Sequence, residues 1–214
     1  MICIAISDKS LEKCLKTLDK VEMAEIRLDL TGFGKEEIKK VFAHATPTIA
    51  TCRPDKMGPE KQLELLTTAI NAGAKYVDIE IEAEDAQKET IIATARKMEC
   101  KVIISYHNFT QTPGLKELFT IVDRCYELGA DVAKIATMAK TTKDSARLLS
   151  LYSTDKPLVV LGMGEPGKIT RIMSPLLGAE FTFAAMDDGD STAPGQIKYS
   201  RMRENLEYLK KELK

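Results

Sequence analysis

Apolar and polar residues change period along this chain in a regular way. Short runs rich in Val, Ile, Ala and Cys, such as Ile2-Cys3-Ile4-Ala5-Ile6 and Val102-Ile103-Ile104, are followed by longer stretches whose apolar residues recur every three or four positions. The short runs predict strands and the longer ones amphipathic helices. Strands are predicted over 2–6, 23–29, 48–52, 76–81, 102–106, 132–136, 158–161 and 181–184. Helices are predicted over 10–20, 35–43, 60–72, 86–98, 115–128, 142–152, 168–173 and 194–211. Gly73-Ala74-Lys75 and Gly129-Ala130-Asp131 read as helix-to-strand turns, each with a glycine at a helix C-cap. Strand followed by helix, repeated along the whole chain, is the mark of parallel βαβ units.

A closed barrel and an open doubly wound sheet both fit that alternation. The stretch Glu25-Ile26-Arg27-Leu28-Asp29-Leu30 separates them. Its charges fall on one face of a strand and its aliphatics on the other, because side chains alternate. An open sheet with helices on both sides has no place for so polar a buried row, whereas a barrel can turn it toward its mouth. The expectation is an α/β protein with a single (β/α)8 TIM-barrel domain over residues 1–214. No low-complexity stretch marks an internal boundary.

Composition narrows the function. With 44% hydrophobic and 29% charged residues and a formal net charge of −1, the chain reads as a soluble globular protein. It carries no basic stripe of the kind that nucleic acid requires. Met1 to Ile6 is followed at once by Ser7-Asp8-Lys9, which predicts a strand and not a signal peptide. No apolar run approaches the roughly 20 residues of a membrane span. Five cysteines with no Cys-x-x-Cys pair, and two histidines, His44 and His107, argue against a zinc site and for a reduced, cytoplasmic compartment. Cys3 and Cys52 fall inside predicted strands and read as core filler.

In a (β/α)8 barrel, chemistry sits where strands end. Polar residues gather at those ends here: Ser7, then Glu25, Arg27 and Asp29, then Arg53, then Asp78 and Glu80, then Ser105 and His107, then Lys134, then Arg171. The loop after the eighth strand carries Asp187 through Gln196, a composition suited to a lid. Each has an ordinary reading. His107 can be a satisfied strand-end histidine, the charged row an ion-pair network, Asp78 and Glu80 its counter-charges, and Arg53 and Arg171 surface arginines. Lys134 lies among small apolar residues, where an ammonium is costly unless paired. It either snorkels from the strand end or does chemistry.

Taken together these residues suggest imine chemistry. A lysine amine attacks a ketone or aldehyde, and the protonated imine then accepts electrons from a neighbouring carbanion. A histidine on the next strand can move the proton near neutral pH. Arginines at the same ends suit a carboxylate. The lysine must be deprotonated first. Lowering its pKa from about 10.4 to about 8 takes roughly 3 kcal/mol; desolvation and Arg27 or Arg53 push that way, while Glu25 and Glu80 oppose it.

The chain resembles the type I 3-dehydroquinate dehydratases. The resemblance is carried by Glu25-Ile26-Arg27-Leu28-Asp29, Thr51-Cys52-Arg53, Asp78-Ile79-Glu80, Ser105-Tyr106-His107-Asn108-Phe109, Lys134-Ile135-Ala136, Gly167 to Arg171, and Ala193-Pro194-Gly195-Gln196. It implies a (β/α)8 barrel lyase of the shikimate pathway that converts 3-dehydroquinate to 3-dehydroshikimate by syn elimination, with no metal or organic cofactor, as a homodimer. By the same resemblance Lys134 forms the Schiff base and His107 moves the proton. Glu25 and Arg27 hold ring hydroxyls, with Arg53 and Ser7 nearby. Arg171 binds the carboxylate, and Thr192 and Gln196 close over the substrate. The chain departs from the pattern at Met57, where relatives carry a glutamate, with Glu60 the nearest acid downstream; Thr192 replaces a common serine. The alternatives are another lysine-imine barrel of the class I aldolase type, and a catalytically silent barrel that binds a small acid.

Overall fold

The computed structural model of the protein describes residues 1–53, 57–188 and 195–213. Strand β1 (Ile2–Ile6) leads to helix α1 (Leu11–Leu18), where the Ser10 hydroxyl accepts from the Lys13 N–H and satisfies one open donor of the helix start. Then come β2 (Met23–Arg27), α2 (Leu28–Thr31), α3 (Lys35–Phe42), β3 (Thr48–Thr51), α4 (Pro59–Asn71), β4 (Tyr76–Glu80) and α5 (Asp85–Lys97). The second half runs β5 (Lys101–Asn108), α6 (Leu115–Glu127), β6 (Val132–Met138), α7 (Thr142–Leu149), β7 (Leu158–Met163), α8 (Lys168–Met173), β8 (Thr182–Ala184) and α9 (Tyr199–Glu212).

The strands form one sheet in the order β7-β6-β5-β4-β3-β2-β1-β8. Sequential strands as neighbours, parallel and joined through helices, make this a (β/α)8 barrel fold, as the alternation predicts.

The chain divides into two compact units. In the unit Ala5–Ile103, Arg27 pairs with Thr51, and Thr51 with Asp78, so β2 and β3 end level and β4 runs two residues further, to Glu80. Ile26, Ile49, Val77 and Ile79 are buried, as are Ile38, Phe42, Leu66, Ile70 and Ile91 from the helices. In the unit Met1–Ile4 with Ile104–Lys214, Lys134 pairs with Val159 and Ile2 with Thr182. Its core includes Ile104, Leu118, Val122, Ile135, Leu148, Val160 and Phe181.

Several boundaries differ from the sequence reading. β2 stops at Arg27, because 28–31 close into one helical turn ended by Gly32 at φ 71°. Asp29 therefore leaves the charged strand row and reaches back to Arg27. β5 and β6 extend to Asn108 and Met138; the polar His107-Asn108 end weakens the hydrophobic signal of β5, and β6 stays paired with β7 as far as Met138. The stretch 142–152 is α7 followed by a 3₁₀ turn, Ser150–Ser153. α9 starts at Tyr199, since Ala185 and Lys198 bridge as extended chain.

Candidate functional site

In the unit Ala5–Ile103, strand alternation puts Glu25 and Arg27 on one face of β2. Glu25 is buried and its Oε1 accepts from the Thr51 hydroxyl at 2.9 Å. Arg27 donates Nε to Asp29 Oδ1 at 3.0 Å and Nη2 to Asp29 Oδ2 at 2.7 Å, a two-pronged pair that fixes the guanidinium plane. Arg53, just beyond β3, donates Nη1 to Asp78 at 3.1 Å and lies 3.5 Å from Glu80. The ordinary reading of Asp78 and Glu80 as counter-charges is thus realised.

These groups share one electrostatic neighbourhood. Burial alone would lower the Arg53 pKa, but the charges of Asp78, Glu80 and Glu25 outweigh it and hold the value above the ordinary one. Burial also works against the Arg27 charge, and the hydrogen bond to Asp29 with the charges of Glu25 and Asp29 again wins, against opposition from Arg53. Both arginines are therefore fixed cations. Ser7 follows β1 directly and is half-buried. Met57 is half-buried just before α4, and Glu60, in its first turn, is exposed.

In the unit Met1–Ile4 with Ile104–Lys214, Lys134 sits on β6 and is 5% exposed. The snorkelling alternative does not hold. Its Nζ stands 4.7 Å from the centre of the Phe183 ring on β8. His107, near the end of β5, is half-buried and stacks on Phe109, with ring centres 6.1 Å apart and planes 11° apart. Sequence reasoning did not single out Phe183; its alternation with Phe181 across Thr182 was the available signal.

Arg171 is not a surface arginine, because it is 1% exposed. It rides on α8, which is pressed onto β7. A Cβ on Gly167 would lie 2.4 Å from the Gly162 carbonyl carbon, so glycine is required for that approach. Thr170 Oγ1 reinforces it by accepting from the Gly162 N–H and donating to the Gly167 carbonyl, each at 2.7 Å. Desolvation pushes the Arg171 guanidinium down to about 10, yet it stays protonated at neutral pH. Among the described residues no ion pair joins it, and its Nε has no hydrogen-bond partner. A guanidinium buried in this way carries a desolvation cost that an anion beside it would offset.

Gln196 is half-buried, next to Gly195, whose φ is 78° and whose Cβ, if present, would lie 2.8 Å from the Gly164 carbonyl oxygen. The chain on either side of 189–194 is joined: Ala185 exchanges backbone bonds with Ile197 and Tyr199, and Ser200 donates its N–H and hydroxyl to Asp187. Thr192 lies outside the described residues. Among the described residues no group of three or more His, Cys, Asp or Glu is placed to hold a metal, and no helix is long and apolar enough to cross a membrane.

Comparison with known proteins shows the family. The type I 3-dehydroquinase family profile matches residues 2–212. The chain is 35% identical to the 3-dehydroquinate dehydratase of Methanococcus vannielii, covering 98% of this chain and 100% of the relative. It is also 35% identical to that of Methanocaldococcus jannaschii, covering 95% and 96%. Among solved structures, the type I 3-dehydroquinate dehydratase of Clostridium difficile superposes with a TM-score of 0.86 at 28% identity, over 99% of this chain and 92% of that one.

Proposed function

Because the chain belongs to the type I 3-dehydroquinase family, we propose that it dehydrates 3-dehydroquinate to 3-dehydroshikimate in the shikimate pathway, through a Schiff base on Lys134. The observation that carries this reading is Lys134 itself, a buried lysine on β6 in the Lys-Ile-Ala setting of the family motif.

The neutral amine of Lys134 adds to the ring ketone, and loss of water leaves a protonated imine. His107 takes a proton from the adjacent carbon, and the electron pair moves into the imine to give an enamine. The pair then returns and expels the hydroxyl group on the next carbon, with His107 supplying the proton that makes it water. One base serving both steps implies syn elimination. Water finally hydrolyses the conjugated imine and frees the lysine. The net change is the loss of one water.

Arg171 holds the carboxylate. Its buried charge, which no ion pair joins among the described residues, supports the role, since an incoming carboxylate recovers the cost of burying the guanidinium. Glu25 and Arg27 hold ring hydroxyls, assisted by Arg53 and Ser7, with Gln196 and Thr192 closing over the substrate. No metal or organic cofactor enters these steps. The family resemblance supports a homodimer, and five free, buried cysteines suit a reduced cytoplasm.

Borohydride added with 3-dehydroquinate tests the reading. The reduced ligand should be found on the peptide that contains Lys134, and enone absorbance should grow when reductant is left out. Turnover with no adduct, or with the adduct on another lysine, overturns the Schiff-base assignment.

A further inference from the structure

The segment after His107 is tied down at both ends by side chains to which the proposed mechanism gives no role. At its near end, the Asn108 Oδ1 accepts from the Thr110 N–H at 3.0 Å, the Thr110 hydroxyl at 2.9 Å and the Gln111 N–H at 3.0 Å. Two backbone donors on one atom fix that atom as the carbonyl oxygen. The Asn108 Nδ2 in turn donates to the Tyr106 hydroxyl at 3.2 Å. The four residues 108–111 are thereby closed into a rigid turn.

At its far end, Thr112 is fastened to the strand that carries Lys134. Its hydroxyl is 2.9 Å from the Thr137 hydroxyl and donates to the Met138 carbonyl at 2.9 Å. A carbonyl can only accept, so the Thr112 proton goes to Met138 and Thr137 must donate to Thr112. Both threonines are buried, which makes this chain of bonds costly to break. The Thr112 carbonyl also accepts from Arg147 of α7 at 3.5 Å, and Arg147 is itself paired with Asp144. Asp144 takes the Lys140 and Thr141 N–H groups just past β6. Pro113 follows and disfavours a helical backbone at Thr112.

Alternation along β6 puts Thr137 on the sheet face opposite Lys134. The fastening therefore lies behind the face from which Lys134 projects and leaves that face clear.

We propose that residues 108–112 form a brace that holds His107 in register with Lys134, with Asn108 and Thr112 as positioning residues. This rests on the imine mechanism above for its catalytic consequence. β5 and β6 are neighbours in the sheet, but β5 ends at Asn108, one residue past His107. His107 thus lies at the very end of β5, and the brace extends the cross-strand tie beyond it. Proton transfer from carbon demands such control, because a misplacement of about 1 Å can cost a hundredfold in rate.

The test uses Thr112→Val, which keeps the shape and removes the hydroxyl, and Thr112→Ser, which keeps the hydroxyl. Thr112→Val should lower kcat by roughly ten- to a hundredfold with KM little changed, while the borohydride adduct on Lys134 still forms; Thr112→Ser should restore most of the rate. Against a His107→Ala background, Thr112→Val should cost nothing further, because its effect passes through the histidine. An equal loss in both backgrounds overturns the proposal. Amide hydrogen exchange at Thr110 and Gln111 gives a readout that needs no turnover. It should accelerate in Thr112→Val and not in Thr112→Ser, and unchanged exchange overturns the brace. If the wild-type chain fails to dehydrate 3-dehydroquinate, the functional reading falls, and the exchange result still decides whether the brace exists.

Discussion

The Lys134 ammonium stands 4.7 Å above the centre of the Phe183 ring, and Phe183 meets Phe181 edge-on at 5.7 Å. With Lys134 5% and Phe183 3% exposed, water does not screen the attraction between cation and ring face. Such desolvated pairs are worth about 2 kcal/mol. A double-mutant cycle of Phe183→Leu and Lys134→Met in urea denaturation should give a coupling of about 1–2 kcal/mol. Additive effects would reduce Phe183 to a space-filling residue.

His107→Ala should separate capture from turnover. Loss of a positioned proton carrier costs about 10²–10⁴-fold, while imine formation continues slowly. The adduct on Lys134 should accumulate in mass spectra as kcat collapses. Near wild-type turnover would remove His107 from the mechanism.

Arg171 should trade stability for binding. Replacing the buried guanidinium with an apolar side chain in Arg171→Met should raise ligand-free stability by about 1–4 kcal/mol, and the thermal shift given by 3-dehydroquinate should disappear. Arg171→Lys keeps a charge and loses the fork, so KM should rise more than kcat falls. A destabilised Arg171→Met that still shows the ligand shift would place the carboxylate elsewhere.

The thiols should be silent in the native state and impose an alkaline limit. Burial, aided by the charge of Asp8 for Cys14 and of Asp29 for Cys52, pushes both thiols up to about 12, with Arg53 and Arg27 only partly opposing at Cys52. In the unfolded chain a cysteine ionises near pH 8.5. The folded pKa is the higher one, so this contribution to stability is complete below pH 8.5 and is lost as pH rises toward 12. The urea midpoint should accordingly fall between pH 8 and pH 10. A thiol-exchange reagent at pH 8 should label none of the five buried cysteines before urea and all of them after. Rapid native labelling would contradict the burial of these side chains.

The order of strands and helices was legible in the sequence, because backbone periodicity is a local property. Two-residue and 3.6-residue patterns need no distant partner to declare themselves. The Lys-Ile-Ala and Ser-x-His-x-Phe segments were legible too, since each is contiguous and its residues are chemically distinctive. Other features depended on residues far apart in the chain. Asp29 leaves the strand because a helical turn lets its carboxylate meet Arg27. Arg171 is buried because two glycines let α8 press onto β7. Phe183 lies under Lys134 although 49 positions separate them in the sequence, and Thr112 finds Thr137 across 25. A sequence pattern tells which face a side chain takes, but its burial and its partners are set by what the folded chain brings against that face. The tertiary structure therefore decided that Arg171 is a desolvated cation, that Phe183 lies against the lysine, and that Thr112 is fastened to the strand carrying Lys134.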